Sequence, residues 1–282
     1  MRTNYLIYNP EAGNGNCREE AEILEVVYDN TILIDINRVY SYQVFFSGLD
    51  ESDSVILCGG DGTLHRFIND TANIEIRCQL YFYAVGVCND FARDIGLGQG
   101  DAPDVAVNEY LKDLPVLTIQ DRRIKFLNGI GYGLEGYSFL CQDPYQQGKE
   151  NRKVYQILSL VRGFLFRYQP SNMTVTRDDK VHRYEKVWLA HVMKGKYLSG
   201  LKSAPDQCRS SEEKTLSFVV VSGVGRLRAF WAVLSMINGS KAGRGVEILQ
   251  GRRFGISFDQ PVSLLVDGEK LPMEAKCEVS NG

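Results

Sequence analysis

The chain has 282 residues, 44% of them hydrophobic and 24% charged, with a formal net charge of -3. That length accommodates two domains of ordinary size, and that composition excludes a disordered or low-complexity protein. The near-neutral balance excludes the global attraction to nucleic acid that a strongly basic chain has.

Residues 4–8 read as a short apolar strand, followed by the Gly- and Asn-rich turn 9–15. Residues 17–28 carry helical spacing, with Ala21, Leu24 and Val27 on one face. A second strand is expected over 31–36 and a short helix over 41–48. The apolar run Val55-Ile56-Leu57-Cys58 then ends abruptly in Gly59-Gly60-Asp61-Gly62-Thr63, and a helix over 64–69 follows at once. Another strand over 80–85 breaks at Gly86 and leads into a helix over 90–95. Strands alternating with helices predict a parallel sheet with covering helices. Ligands on such sheets sit at the carboxyl ends of the strands, so the turns 9–15, 59–63 and 86–90 are expected to converge on one edge.

Past Pro103 the pattern changes. Strands are predicted over 116–120, 124–130, 173–176, 186–193, 216–221 and 262–266, with helices over 153–168 and 227–237. Asp178-Asp179-Lys180 is a hairpin-turn signal. Many strands with few helices between them predict an antiparallel sandwich or barrel. The fold class is therefore an α/β domain with a parallel sheet (1–119) followed by an antiparallel β-sandwich-like domain (120–282). The boundary is expected within 115–122.

The seven cysteines (Cys17, Cys58, Cys78, Cys88, Cys141, Cys208 and Cys277) are scattered without a CxxC pair. This argues against a zinc site or a disulfide framework and for a reducing compartment. MRTNYLIYNP has too short an apolar run for a signal peptide. No stretch reaches the roughly eighteen apolar residues of a spanning helix. The expected location is cytoplasmic, with peripheral contact at a membrane surface left open.

The strand, glycine turn and helix around Gly59 carry the most chemistry. Glycines let the backbone approach a ligand closely, and a helix start offers unpaired N–H groups and the positive end of a dipole. Together they make an anion site suited to phosphate. Asp61 inside that site would repel phosphate unless it serves a metal or a proton transfer, which points to phosphoryl chemistry.

Asn9-Pro10 with Gly13 and Gly15, Gly59 to Thr63, and Asn89-Asp90-Phe91-Ala92-Arg93 occur in that order. Asn128-Gly129-Ile130-Gly131-Tyr132-Gly133, the stretch 199–206 (SGLKSAPD) and Val266-Asp267-Gly268-Glu269 follow. In these motifs the chain resembles the bacterial diacylglycerol kinase and lipid kinase family, related to sphingosine kinases. GGDGT alone is shared with NAD kinases and 6-phosphofructokinases; GGDGT followed by NDFAR is far more specific. The resemblance implies ATP bound on the α/β domain, Mg²⁺, and transfer of the γ-phosphoryl group to a lipid hydroxyl in an interdomain cleft. Departures are Val87 where the family has threonine, His65-Arg66 where it often has Asn-Glu, and Lys214 where it has glycine.

Gly59, Gly60, Gly62 and Thr63 are expected to cradle phosphate, with Asp61 as a polar organiser or a ligand of Mg²⁺ or water. Asn9, Gly13 and Gly15 are assigned to the nucleotide's ribose or phosphates; the competing reading is a turn satisfied by its own Asn side chains. Asn89 and Asp90 are expected to cap the following helix and to face nucleotide or acceptor, and Arg93 to pair with a carboxylate of the fold. Asp267-Gly268 alone reads as a hairpin turn. The resemblance instead makes Asp267 or Glu269 the general base for the lipid hydroxyl. It also places Glu213 where many bacterial members have an aspartate that holds a regulatory Mg²⁺. His65 is assigned either to the nucleotide pocket or to plain packing.

Residues 153–168 and 225–237 combine apolar faces with Arg152, Lys153, Arg162, Arg167, Arg226 and Arg228. They are candidates for docking on anionic lipid, against the commoner role of packing on a core. The partners expected are thus a lipid substrate, a peripheral membrane contact and a second copy in a homodimer, with no nucleic acid. The leading function is an ATP-dependent lipid kinase with a diacylglycerol-like acceptor. The alternatives are a soluble NAD-kinase-like enzyme and an inactive nucleotide- or lipid-binding module.

Overall fold

The computed structural model describes residues 2–86, 88–133, 168–198, 200–202, 204, 207, 209, 214–237 and 243–281. The chain divides into two compact units, Met1–Lys112 and Asp113–Gly282. The division falls ahead of the expected boundary because the strand at Val116–Ile119 pairs with the chain's last strand, Leu117 opposite Val279.

The first unit holds β1 (Asn4–Tyr8), α1 (Cys17–Val27), β2 (Thr31–Asp35), α2 (Tyr42–Ser47), β3 (Ser54–Gly59), α3 (Asp61–Asp70), β4 (Gln79–Ala84) and α4 (Asp90–Asp94). The four strands form one parallel sheet in the order β2-β1-β3-β4. Period-two alternation sorts its side chains. Leu6, Tyr8, Ile56, Cys58 and Tyr83 pack with Cys17, Ala21 and Leu24 of α1. The alternate positions meet rings on the other face, Tyr5 against Phe45 and Phe82 against Phe91. Val27, expected on the buried face of α1, is 66% exposed. At 100° per residue it lies 60° beyond Leu24, and the helix ends there.

The second unit contains β5 (Val116–Ile119), β6 (Arg122–Lys125), β7 (Gly129–Gly133), β8 (Ser171–Arg177), β9 (Lys180–Val187), β10 (Leu189–Met193), β11 (Tyr197–Leu198) and β12 (Leu201–Lys202). It continues with β13 (Leu216–Val221), α5 (Arg226–Ile237), β14 (Val246–Gly251), β15 (Arg253–Val262), β16 (Leu264–Val266), β17 (Glu269–Lys270) and β18 (Glu274–Ser280). Two six-stranded sheets, β14-β13-β10-β7-β16-β17 and β6-β5-β18-β15-β8-β9, have antiparallel pairings throughout. One apolar cluster joins Leu117, Val175 and Phe254 of one sheet to Ile130, Val192 and Phe218 of the other. This is the expected sandwich-like arrangement.

Three predicted strands are each two. The run 124–130 breaks into β6 and β7, 186–193 into β9 and β10 at Trp188, and 262–266 into the end of β15 and β16. At each break the chain leaves one sheet for the other, a change that an unbroken apolar run does not report. Strands β14, β15 and β18 extend well beyond anything predicted because polar residues and Pro261 interrupt their apolar pattern. The hairpin at Asp178-Asp179 is as expected, with both residues at positive φ. The predicted helix 153–168 lies outside the described residues apart from the buried Tyr168. Cys17, Cys58, Cys78 and Cys277 are free and buried.

Candidate active site

In a parallel sheet every strand delivers its following turn to the same edge. The turns after β1, β3 and β4 meet there through direct contacts. Asn9 N donates to Cys58 O at 3.1 Å, tying the first turn to the end of β3. The Asn9 side chain works in both directions: Nδ2 donates to Thr63 Oγ1 at 2.8 Å, and Oδ1 accepts from Glu11 N at 3.0 Å. Gly13, at φ 62°, presses against the end of β4; a Cβ there would stand 2.5 Å from Val85 Cγ1 and 2.9 Å from Val85 O. The first turn is therefore satisfied by its own asparagine and also docked on the other two.

The second and third turns meet glycine to glycine. A Cβ on Gly60 would lie 3.1 Å from Gly86 Cα, and one on Gly86 would lie 2.8 Å from Gly60 Cα. No side chain larger than hydrogen fits between these backbones without displacing one of them. Gly60 is also the N-cap of α3 and brings no side chain to the cap, so the helix start depends on other partners. A Cβ at Gly59 would collide with the Thr63 side chain at 2.6 Å, which holds that threonine, 5% exposed, against the strand end. The predicted helix start at Leu64 moves back to Asp61, so Asp61, Gly62 and Thr63 form the first turn of α3.

Asp61 reaches across this cluster. Its Oδ2 accepts from Asp90 N at 2.8 Å and its Oδ1 from Phe91 N at 3.0 Å. The carboxylate thus occupies the cap of α4 that was assigned to Asn89. Asn89 does stand at the N-cap position, but in the left-handed region at φ 48°, and it makes no side-chain cap bond. Its Nδ2 turns back to donate to Gly86 O at 2.7 Å. Its Oδ1 is buried with no hydrogen-bond partner, although the residue is only 4% exposed. An orphaned buried acceptor is costly, and this one lies in the turn predicted to meet a ligand. Asp90 is buried and pairs with Arg93 at 3.7 Å, the structural pairing expected of that arginine. His65 is buried within α3.

Beneath the turns, Cys17 Sγ lies 3.5 Å from Cys58 Sγ. Their hydrogen bond lowers the Cys17 pKa and raises that of Cys58, with burial adding to the latter. Tyr83 next door is pushed up, chiefly by burial and then by its bond to Glu20.

In the second unit Asp267 and Gly268 both have positive φ and close the β16–β17 hairpin, as the local sequence predicts. The turn also has another function. The buried Asp267 carboxylate accepts from Leu127 N at 2.7 Å through Oδ2, and from Asn128 N at 2.7 Å and Gly129 N at 3.1 Å through Oδ1. Arg209, 8% exposed, holds the same segment from its other polar groups, donating to Leu127 O and Asn128 Oδ1 at 2.7 Å each. Sequence reading missed Arg209, because it lies in a segment without periodicity or motif. Asn128 was signalled as the first residue of NGIGYG. Glu269 is half-buried, opposite Val266 in β17. Glu213 lies outside the described residues, as do Ser199, Ser203, Pro205 and Asp206 of the SGLKSAPD stretch.

Comparison with known proteins agrees with the motifs. Residues 3–116 match the family model of the diacylglycerol kinase catalytic domain. A Bacillus subtilis protein named "Putative lipid kinase YtlR" is 25% identical over 235 residues, 76% of this chain and 73% of that protein. The "Diacylglycerol kinase" of the same organism is 32% identical over 142 residues, 47% of this chain and 46% of that protein. A solved structure of "a putative diacylglycerol kinase from Bacillus anthracis str. Sterne" superposes with a TM-score of 0.68 at 24% identity, covering 99% of this chain and 93% of that one. It shares the fold.

Proposed function

Because residues 3–116 carry a diacylglycerol kinase catalytic domain, we propose that this protein is an ATP- and Mg²⁺-dependent lipid kinase. It transfers the γ-phosphoryl group to a lipid hydroxyl, diacylglycerol-like alcohols being the first choice. The observation that carries this reading is the contact of bare glycines Gly60 and Gly86 beside the uncapped start of α3. Backbone N–H groups at such a helix start suit the phosphates of a nucleotide. The orphaned Asn89 Oδ1 fits the same ligand, since ribose hydroxyls and the adenine amine are donors. Mg²⁺ would be carried largely by phosphate oxygens, with Asp61 the carboxylate of the turn cluster that would share it. When bound, Mg²⁺ supplies charge cancellation on the β- and γ-phosphates.

This chain's residues then have separable tasks. Asn9, Thr63 and Asp61 hold the three turns in one geometry, which aligns the nucleotide before transfer. Glu269 is the proposed general base, taking the acceptor hydroxyl's proton as the new P–O bond forms. Asp267, whose oxygens already hold three backbone N–H groups, positions the hairpin that carries it.

The test is incubation with γ-labelled ATP, Mg²⁺ and a total lipid extract, run beside NAD as a soluble acceptor. Label in a lipid alcohol supports the reading and identifies the acceptor. Label in NAD alone would overturn it in favour of a soluble-substrate kinase, and ATP binding without any transfer would leave a binding module.

A further inference from the structure

Among the described residues, α5 presents two unlike faces. Ala229, Ala232, Val233 and Met236 are buried in the core of the second unit. On the other side Leu227 is 67% exposed and Trp231 65% exposed. They are one helical turn apart, so their side chains lie side by side. An indole left in water forgoes one of the largest apolar burials available to a side chain. The same residue type is favoured where an apolar phase meets water.

Among the described residues every charge on α5 itself is positive, while Glu185, whose O accepts from Gly223 N, is an exposed acid near the start of the helix. Arg226 begins the helix and stacks over the Trp188 ring at 5.3 Å, and Arg228 is exposed beside Leu227. Lys202 lies on β12, which packs against α5, and Arg244 is exposed shortly before β14. Neither α5 nor the described residues 222–225 and 243–245 include an acid, and Glu247 is turned to Tyr184. A short apolar ridge rimmed by cations suits the anionic face of a lipid bilayer better than a neutral protein groove. At 12 residues α5 is too short to cross a membrane, and no described helix is long and apolar enough to do so.

We infer that the Leu227–Trp231 ridge of α5 is a docking surface for anionic lipid bilayers, with the indole inserted at the headgroup level. The inference deepens the lipid-kinase reading, and rests on it for its purpose. Its test uses neither ATP nor acceptor. The chain has two tryptophans, and Trp188 is buried with Nε1 donating to Val224 O at 2.9 Å. An emission change on adding vesicles therefore reports Trp231. Phosphatidylcholine vesicles containing phosphatidylglycerol should shift the emission to the blue and sediment the protein, and added salt should reverse both. Pure phosphatidylcholine vesicles should do so far less. Leu227→Ala with Trp231→Ala should lower sedimentation about tenfold or more, and Arg228→Gln about fivefold. All these side chains are exposed, so melting temperature and Trp188 emission should hold. An unmoved Trp231 emission, or a double variant that sediments like the parent, would overturn the proposal. Transfer to a short-chain diacylglycerol in detergent micelles is measured separately. Its absence alongside intact vesicle binding would defeat the kinase reading and leave the docking surface standing.

Discussion

Asp61 and Asp267 are each followed by glycine, and each gives its carboxylate to the backbone of a distant segment. Asp61 takes two N–H groups at the start of α4, and Asp267 takes three from residues 127–129. The difference lies in what surrounds them. Asp61 sits in the first turn of a ten-residue helix, among turns that meet at bare glycines, and is partly exposed. Asp267 is 6% exposed, in a hairpin tied to residues 127–129, a segment that Arg209 also holds. An acidic motif residue thus acts as a fastener in both halves of the protein. In the proposed mechanism, proton transfer falls to a neighbour, Glu269.

The largest expected effect separates the base from its fastener. Glu269→Gln keeps size and polarity but cannot accept a proton, so kcat should fall by about 10²- to 10⁴-fold. The melting temperature should stay within a degree or two of the parent's. If Glu269→Gln turned over normally while Asp267→Asn did not, the two roles would have to be exchanged. Next is Asp267→Ala, which strands three N–H groups in the interior. At about 1–3 kcal/mol for each orphaned group, the second unit should lose several kcal/mol, read by denaturant unfolding. A loss below about 1 kcal/mol would show that water or relaxation replaces the carboxylate.

The sequence made the strand–turn–helix frame of the first unit legible because apolar period and glycine punctuation coincide there. The same was true of the convergence of its three turns, which follows from parallel strands alone. It did not show which side chain caps α4. Asn89 is the better local candidate, but the left-handed backbone at Asn89 turns its amide away, and a carboxylate 28 residues earlier in the chain takes the place. In the second unit the apolar runs were found, but not where they change sheets, because Trp188 and Ser263 lie inside apolar stretches. Arg209 was invisible for a different reason: its partners, Leu127 O and Asn128 Oδ1, lie some 80 residues away in the chain.

Smaller effects sharpen the contrast on the nucleotide side. Asp61→Ala removes the cap of α4, worth about 0.5–2 kcal/mol, and frees the third turn from the second. The variant should melt earlier and lose transfer together. Full stability without transfer would instead show that Asp61 acts directly on metal or phosphate.

Asn89→Ala separates ligand from fold most finely. The substitution removes an acceptor that has no partner and a donor bonded only to Gly86 O. The lost bond costs about 1 kcal/mol, and removal of the orphaned oxygen offsets much of that. Replacing left-handed Asn by Ala costs about as much again. Asn89→Gly avoids that strain and is the cleaner probe. If a nucleotide donor meets Oδ1, Asn89→Gly should weaken ATP binding by about five- to tenfold while leaving the melting temperature near the parent's. Isothermal titration with a non-hydrolysable ATP analogue reads the first quantity and thermal unfolding the second. Unchanged affinity would place the nucleotide elsewhere on the sheet edge and return Asn89 to a purely structural turn.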